Sequence, residues 1–426
     1  MFNTISMVGL GYIGLPTATL FASRKKKVIG VDVSQHAIDT INQGRIHIIE
    51  PELDMLVQAA VTAGYLRATN KPEPADAFLI AVPTPFTDGH KPDLSFIEAA
   101  ARSIAPVLGK GNLVILESTS PVGTTEKLAD WLAHARPDLS FPQQVAETAD
   151  VQIAYCPERV LPGRVVHELV ANDRVIGGMT RTATYMAAAL YKTFVEGDLV
   201  PTSARTAEMC KLTENSFRDV NIAFANELSV ICDKLDIDVW ELISLANRHP
   251  RVNILQPGAG VGGNCIAVDP WFIVDTSPNE ARIIRTAREV NDFKPEWIVD
   301  KIKAAISDVL AAKRGTTMAD IKVACLGLAF KPDIDDLRES PAVEIAEKIA
   351  GLGCGALVVE PNITALPGKL SASGLSLAAL DEALATADVA CILVKHRLFI
   401  ESAPTIREHD KVVDAVGLFA SAATRR

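Results

Sequence analysis

The segment Thr4–Gly14, Thr-Ile-Ser-Met-Val-Gly-Leu-Gly-Tyr-Ile-Gly, does most to limit what this chain can fold into. Thr4–Val8 reads as a buried strand, Gly9, Gly11 and Gly14 follow at G-x-G-x-x-G spacing, and Gly14–Ser23 carries a helical pattern. In such a unit the first glycine permits a tight turn and the second lets backbone approach a pyrophosphate. The third allows close helix–strand packing, while the opening turn around Tyr12 and Ile13 offers N–H groups to the anion. Asp32 ends the next predicted strand, 18 positions beyond Gly14. Its carboxylate suits the 2′- and 3′-hydroxyls of NAD and would repel the 2′-phosphate of NADP. The plainer alternative is a glycine-rich turn beside a surface aspartate.

The same alternation continues. Val28–Val31, Phe78–Val82, Leu113–Glu117, Gln152–Tyr155 and Asp173–Met179 read as strands, with helical stretches at His36–Asn42 and Phe96–Val107. Continuously apolar strands between helices predict a parallel, doubly wound α/β sheet. From about Thr206 the pattern turns helical, with Glu208–Leu235 and Val239–Arg248, then Ala281–Asn291 and Pro295–Ala312 beyond a Gly-rich stretch. Strand signals return at Lys322–Leu326, Ala356–Val359, Val389–Val394 and Val412–Asp414, with a helix at Pro341–Ala350. The expected fold is therefore two Rossmann-like doubly wound domains joined by a helical segment with a long helix. The expected boundaries are 1–203 for NAD binding, 204–312 for the helical middle and 313–426 for the second α/β domain.

Composition narrows the function. The formal charge is −10, from 42 Lys and Arg against 52 Asp and Glu, which disfavours a nucleic-acid partner. Apolar stretches such as Ala77–Val82 run six residues, far below the roughly 20 needed to cross a bilayer. The N-terminus shows no cleavable signal pattern, and the seven cysteines lie at wide, irregular spacings without a CxxC pair. A cytoplasmic protein with no membrane segment, disulfide framework or metal site is expected.

One cysteine stands apart. Cys265 follows Pro257-Gly-Ala-Gly-Val-Gly-Gly-Asn, whose glycines (Gly258, Gly260 and Gly262 among them) let a ligand come close to the backbone. The other six read as small core residues. A dehydrogenase with a nucleophilic thiol suggests a particular route: alcohol to aldehyde, a thiohemiacetal on sulfur, a thioester, then hydrolysis to the acid. Lys211 and Asn215, four apart on one helix face, offer an ammonium and an amide to an oxyanion. Glu158 follows a predicted strand, and Thr84 and Thr119 sit in the loops after two others, where such sheets bind ligands. Either hydroxyl is equally well read as a helix cap or turn residue.

The motifs in order resemble the UDP-glucose/GDP-mannose dehydrogenase family over essentially the whole chain. They are Val8–Pro16, Ser118-Thr-Ser-Pro-Val-Gly123, Tyr155-Cys-Pro-Glu-Arg-Val-Leu-Pro-Gly163, Glu208–Asn215, the Cys265 loop and Gly327-Leu-Ala-Phe-Lys331-Pro-Asp-Ile-Asp-Asp-Leu-Arg338. The Pro-Glu-Arg-Val form around Glu158 resembles the branch acting on UDP-N-acetylhexosamines. Asn247-Arg-His-Pro-Arg251-Val-Asn and Ile266–Trp271 look closest to the mannosamine-oxidising members, and the resemblance implies oxidation of UDP-N-acetyl-D-mannosamine to its uronic acid with two NAD⁺ and water. Such products feed bacterial surface polysaccharides of the enterobacterial common antigen type. The resemblance implies Cys265 as nucleophile, Lys211 and Asn215 as oxyanion stabilisers, Asp269 as organiser of the lysine and water, and Thr119 and Glu158 as aids to water and proton movement. It further implies that Glu158, Arg159, Val160, Lys211, Asn215, Gly258, Gly260, Gly262, Lys331 and Arg338 hold the UDP-sugar. It also implies a homodimer through the central helices, with Arg251 reaching the neighbouring subunit's sugar site.

Two positions depart from the family pattern: Ala259 stands in place of a proline and Asn264 in place of a histidine. Both bear on turnover rate rather than reaction type. Three rivals stay open: the same chemistry on UDP-N-acetylglucosamine or UDP-glucose, a two-electron hydroxyacid dehydrogenase, and a catalytically silent nucleotide-sugar-binding protein.

Overall fold

The computed structural model describes residues 2–48, 50–87, 89–160, 163–263 and 265–420. Asn264 lies outside them. The chain divides into two compact units, 1–214 and 215–426.

The first unit is built on an eight-stranded sheet. Its strands are β1 (Thr4–Val8), β2 (Lys27–Val31), β3 (Leu66–Thr69), β4 (Ala77–Ile80), β7 (Leu113–Leu116), β8 (Gln152–Tyr155), β9 (Arg174–Gly178) and β10 (Leu199–Ser203). A short hairpin, β5 (Phe86–Thr87) and β6 (Lys91–Pro92), stands outside it. The order is β10-β9-β8-β7-β4-β1-β2-β3. Every residue of β4 and β7 is buried, as strands covered by helices on both faces must be. One core cluster, around Met7, Phe21, Leu79 and Ile115, fills one side of the sheet. A second, around Phe78, Ile80, Ile104 and Leu116, fills the other.

One pairing breaks the parallel expectation. β9 runs antiparallel to β8, with Ala154 opposite Gly178 and Tyr155 opposite Gly177. Sequence pattern marks a strand but not its direction, so this reversal was invisible to it. Strands β3 and β10 were also missed. Leu66-Arg-Ala-Thr is short, and Leu199-Val-Pro-Thr-Ser carries a proline that fits only an edge position.

The second unit holds a five-stranded, all-parallel sheet. Its strands are β11 (Lys322–Leu326), β12 (Gly355–Val359), β13 (Leu375–Leu377), β14 (Val389–Ile392) and β15 (Val412–Asp414), in the order β13-β12-β11-β14-β15. The helix Ala204–Lys234 is 31 residues long, and the division between units falls within it. A second 31-residue helix, Arg282–Ala312, contains Pro295. The expected break between Asn291 and Pro295 does not occur. Proline removes one helical N–H bond, but Pro295 is buried in the helix, whose Ile298, Val299, Ile302 and Ile306 pack into the core beside the second sheet.

Buried polar contacts tie these two helices together. Arg288 Nη1 donates to Asp219 Oδ1 at 2.7 Å, Asn291 Nδ2 to the same oxygen at 2.8 Å, and Asn226 Nδ2 to Asn291 Oδ1 at 2.9 Å. No helix among the described residues is long and apolar enough to cross a membrane.

Candidate active site

The loop after β1 has the geometry its glycines predict. Gly9 has φ +91°, and a Cβ there would lie 2.4 Å from the Ala81 carbonyl oxygen. A Cβ on Gly14 would lie 1.8 Å from Gly9 O, so no side chain fits at either place. Gly11 is exposed with nothing within 4 Å of such an atom. That leaves room for a pyrophosphate against backbone, beside the exposed Tyr12 and half-buried Ile13. Asp32 sits past β2, its Oδ2 accepting from Leu10 N at 2.9 Å and its Oδ1 from Ser34 N at 2.8 Å. The carboxylate is thus fixed against the glycine loop, where it can meet a ribose. These residues fit NAD.

Thr84 and Thr119 are brought together, since Thr84 Oγ1 donates to the Thr119 carbonyl at 2.6 Å. The loop carrying Thr119 is anchored further along by Glu208, which is fully buried. Its oxygens accept from Gly123 N (2.7 Å), Thr125 N (2.8 Å) and Thr125 Oγ1 (2.6 Å). Burial raises the Glu208 carboxyl above its ordinary value against the pull of those donors.

Glu158, past the end of β8, is buried and pairs with Arg174. Arg159 is half-buried and ion-paired to Glu214 at 3.2 Å, and Val160 packs against the first core cluster. Lys211 lies half-buried on the long helix, one turn before Asn215.

In the second unit, Asn215 Nδ2 donates to Asp269 Oδ2 at 2.5 Å. Asp269, 2 % exposed, opens the helix Asp269–Thr276, and its N–H donates to the Cys265 carbonyl at 2.8 Å. Cys265 is exposed. Asn215, Asp269 and the Cys265 turn therefore form one hydrogen-bonded group. The glycine stretch before it is held at both ends. Gly258 N donates to Asn226 Oδ1 at 2.9 Å, and Gly263 N to the Arg338 carbonyl at 3.3 Å. A Cβ on Gly262 would meet the Glu339 carbonyl at 2.3 Å, and one on Gly260 would meet Pro341 at 2.9 Å. These glycines are required by close packing on the segment that carries Lys331 and Arg338. Both of those side chains are exposed, Arg338 pairing with Asp336 at 2.6 Å. Arg251 is exposed, and its N–H donates to His249 Nδ1 at 3.3 Å.

The second sheet repeats the local construction of the first. Gly9 N donates to Val31 O and Gly327 N to Val359 O, each at 2.8 Å. Glu360 then stands where Asp32 does, Oε2 accepting from Leu328 N at 2.8 Å and from His396 Nε2 at 3.0 Å. Burial pushes Glu360 up, but the His396 bond and the backbone donors outweigh it and hold the carboxyl at about 2. His396 Nδ1 in turn accepts from Asp333 N at 3.0 Å, bracing the turn after Lys331. Sequence reading missed Arg174, Glu360, His396 and Asn226. An acid directly after a strand, as at Asp32, was the available signal for Glu360. The others carry none. Among the described residues no group of three or more His, Cys, Asp or Glu is placed to hold a metal ion.

Family models match residues 3–195 as an NAD binding domain, 205–293 as a central domain and 324–420 as a UDP binding domain. The chain belongs to the UDP-glucose/GDP-mannose dehydrogenase family. Among its relatives, the UDP-N-acetyl-D-mannosamine dehydrogenase of Escherichia coli (strain K12) is 66% identical over 422 residues, covering 98% of this chain and 99% of the relative. The NDP-N-acetyl-D-galactosaminuronic acid dehydrogenase of Ralstonia nicotianae is 62% identical over 421 residues, covering 99% and 97%. The solved UDP-D-ManNAc dehydrogenase from Pyrococcus horikoshii matches with TM-score 0.86 at 36% identity, covering 98% of this chain and 96% of that one. The family and fold expected from the motifs hold, and so do the enzyme class and the cofactor. This is an NAD-dependent nucleotide-sugar dehydrogenase, which decides against the hydroxyacid-dehydrogenase and silent-binder readings.

Proposed function

We propose that the enzyme oxidises C6 of UDP-N-acetyl-D-mannosamine twice through a covalent intermediate on Cys265. One sugar, two NAD⁺ and one water give the uronate, two NADH and three protons. The observation that carries the reading is the Asn215–Asp269–Cys265 group, in a chain 66% identical to the Escherichia coli mannosamine enzyme over nearly all of both lengths.

NAD, when bound, supplies the hydride acceptor for each oxidation; Gly9, Gly11, Tyr12, Ile13, Gly14 and Asp32 would hold it, with Thr84 and Thr119 at the strand ends. Cys265 Sγ adds to the aldehyde carbon, so that a C–S bond forms and the carbonyl oxygen becomes an alkoxide. Lys211 and Asn215 stabilise that charge. One Asn215 amide proton is committed to Asp269, which orients the other for the oxyanion. After the second oxidation the carbon is a thioester. Glu158, assisted by Thr119, takes a proton from water as the oxygen bonds to that carbon, and the C–S bond breaks to return the thiolate. Lys331, Arg338 and the glycine stretch Gly258–Gly262 hold the nucleotide sugar with Arg159 and Val160. Arg338 suits phosphate as a fork and Lys331 as a point charge.

The protein is a cytoplasmic homodimer in this reading. Among the described residues no disulfide joins the cysteines, as a reducing compartment favours. The long helix exposes Phe217 (70%), Phe224 (52%) and Ile231 (47%) at intervals of seven, a stripe suited to pairing with its copy. Arg251 is then assigned to the neighbouring subunit's sugar site.

NADH release against a panel of UDP-hexoses and UDP-N-acetylhexosamines tests substrate and stoichiometry together. Two NADH per UDP-N-acetyl-D-mannosamine, with the gluco- and galacto- epimers turned over far more slowly, is the expected result. A preference for the galacto epimer would favour the specificity named for the Ralstonia relative.

A further inference from the structure

A buried carboxylate is costly unless donors and a counter-charge meet it. Glu158 is 8% exposed and both its oxygens are engaged, Oε1 by Arg159 N at 2.6 Å and Oε2 by Arg174 Nη2 at 2.5 Å. Arg174, 4% exposed, is the first residue of β9. Because β9 runs against β8, its first residue lies at the carboxyl end of β8, just before Glu158 in the chain. A parallel β9 would carry that guanidinium to the opposite edge of the sheet. The reversed strand thus delivers a permanent cation to the end of the sheet where ligands bind.

The guanidinium is itself held in place. Its carbon lies 4.4 Å from the centroid of the Tyr191 ring, and Nη2 is 3.9 Å from Glu117 Oε1, which accepts from the Tyr191 hydroxyl at 2.5 Å. Glu117 follows β7, so Glu117, Arg174 and Glu158 lie side by side across three adjacent strands. The titratable groups around the pair are Glu117 from β7, Tyr191 from the helix Arg181–Tyr191, and Cys156 and Arg159 from the segment of Glu158 itself. Burial pushes Glu117 up to about 7, against the pull of Arg174.

We propose that Arg174 is the positioning residue for Glu158, holding its carboxylate in the orientation that takes the proton from the hydrolytic water. The inference rests on the role given to Glu158 above. Removing the cation raises the carboxyl's proton affinity, so the base is lost from its acid side upward. The water proton then has no acceptor, and the thioester outlives its formation.

The test uses steady-state kinetics, intact-protein mass and pH profiles of Glu158→Gln, Arg174→Gln, Arg174→Lys and the double Gln variant, all as full chains. Arg174→Gln is expected to lower kcat about ten- to a hundredfold, part of the ~10²–10⁴ a general base supplies. KM for both substrates should stay within about threefold, the acidic limb of kcat should move to higher pH, and thioester should accumulate on Cys265. Arg174→Lys should recover part of both kcat and limb, while the double variant should be no slower than Glu158→Gln by more than about twofold. If Arg174→Gln does not fold, Arg174→Lys decides: a kcat lowered about three- to tenfold with a raised limb supports the assignment, and parent values overturn it. Parent kcat and limb in Arg174→Gln, beside an impaired Glu158→Gln, overturn this inference alone. Parent kcat in Glu158→Gln removes the role of Glu158, and with it the reading beneath.

Discussion

Single side chains decide the chemistry, and two of them give sharp expectations. If sulfur carries the sugar between oxidations, Cys265→Ala should form no uronate while calorimetric NAD affinity stays within about threefold, because the cofactor's cradle is made by other residues. Full acid production by that variant would remove the thioester. Glu117 makes a different prediction, in stability rather than rate. Burial raises its carboxyl to about 7 against the opposing pull of Arg174, so the folded state favours the protonated form. The stability this contributes is complete below its ordinary value of about 4.5 and is lost as pH rises through about 7. Glu117→Gln keeps an acceptor for Tyr191 and does not titrate. Thermal melts of the variant and parent should therefore diverge in the variant's favour from about pH 5 to about pH 8; a constant gap counts against it. The turn made by Gly9 and Gly14, and Asp32 beside it, are legible from residue type and spacing alone. Arg174 is not, because its importance comes from the direction of its strand.

At the scale of elements, the turn from β1 into the helix Gly14–Ser23 shows how little tolerance such a cradle has. A methyl on residue 14 would sit 1.8 Å from Gly9 O, so Gly14→Ala must move the helix away from the strand. NAD affinity should fall about tenfold or more, ~1.4 kcal/mol, in a titration by protein fluorescence, and affinity near the parent's would show that the turn can relax. The strands β1, β8, β11 and β15 and the helices Gly14–Ser23 and Pro341–Ala350 begin and end where the pattern places them, whereas the apolar runs at Phe78–Val82 and Val389–Val394 continue past the ends of β4 and β14. The helix Arg282–Ala312 was read as two because proline usually ends a helix. Its apolar face kept the element whole, tertiary burial overriding a local preference.

For the whole molecule, the expected homodimer turns on the stripe Phe217, Phe224 and Ile231. Phe224→Asp puts a charge into the middle of an apolar seam and should shift sedimentation to the monomer at low micromolar concentration; an unchanged sedimentation coefficient would count against that seam. Sequence by itself determined the two α/β regions, the helical segment between them, the cofactor turn and the cysteine loop, since each is written in periodicity, glycine spacing or residue chemistry over a few dozen positions. Only the tertiary structure decided that β9 reverses, that Arg174 meets Glu158, that Asn226 holds Gly258 and that His396 and Glu360 brace the turn after Lys331. Those contacts join residues from 16 to 63 positions apart, and no local pattern encodes a partner whose identity depends on which strand ends lie side by side.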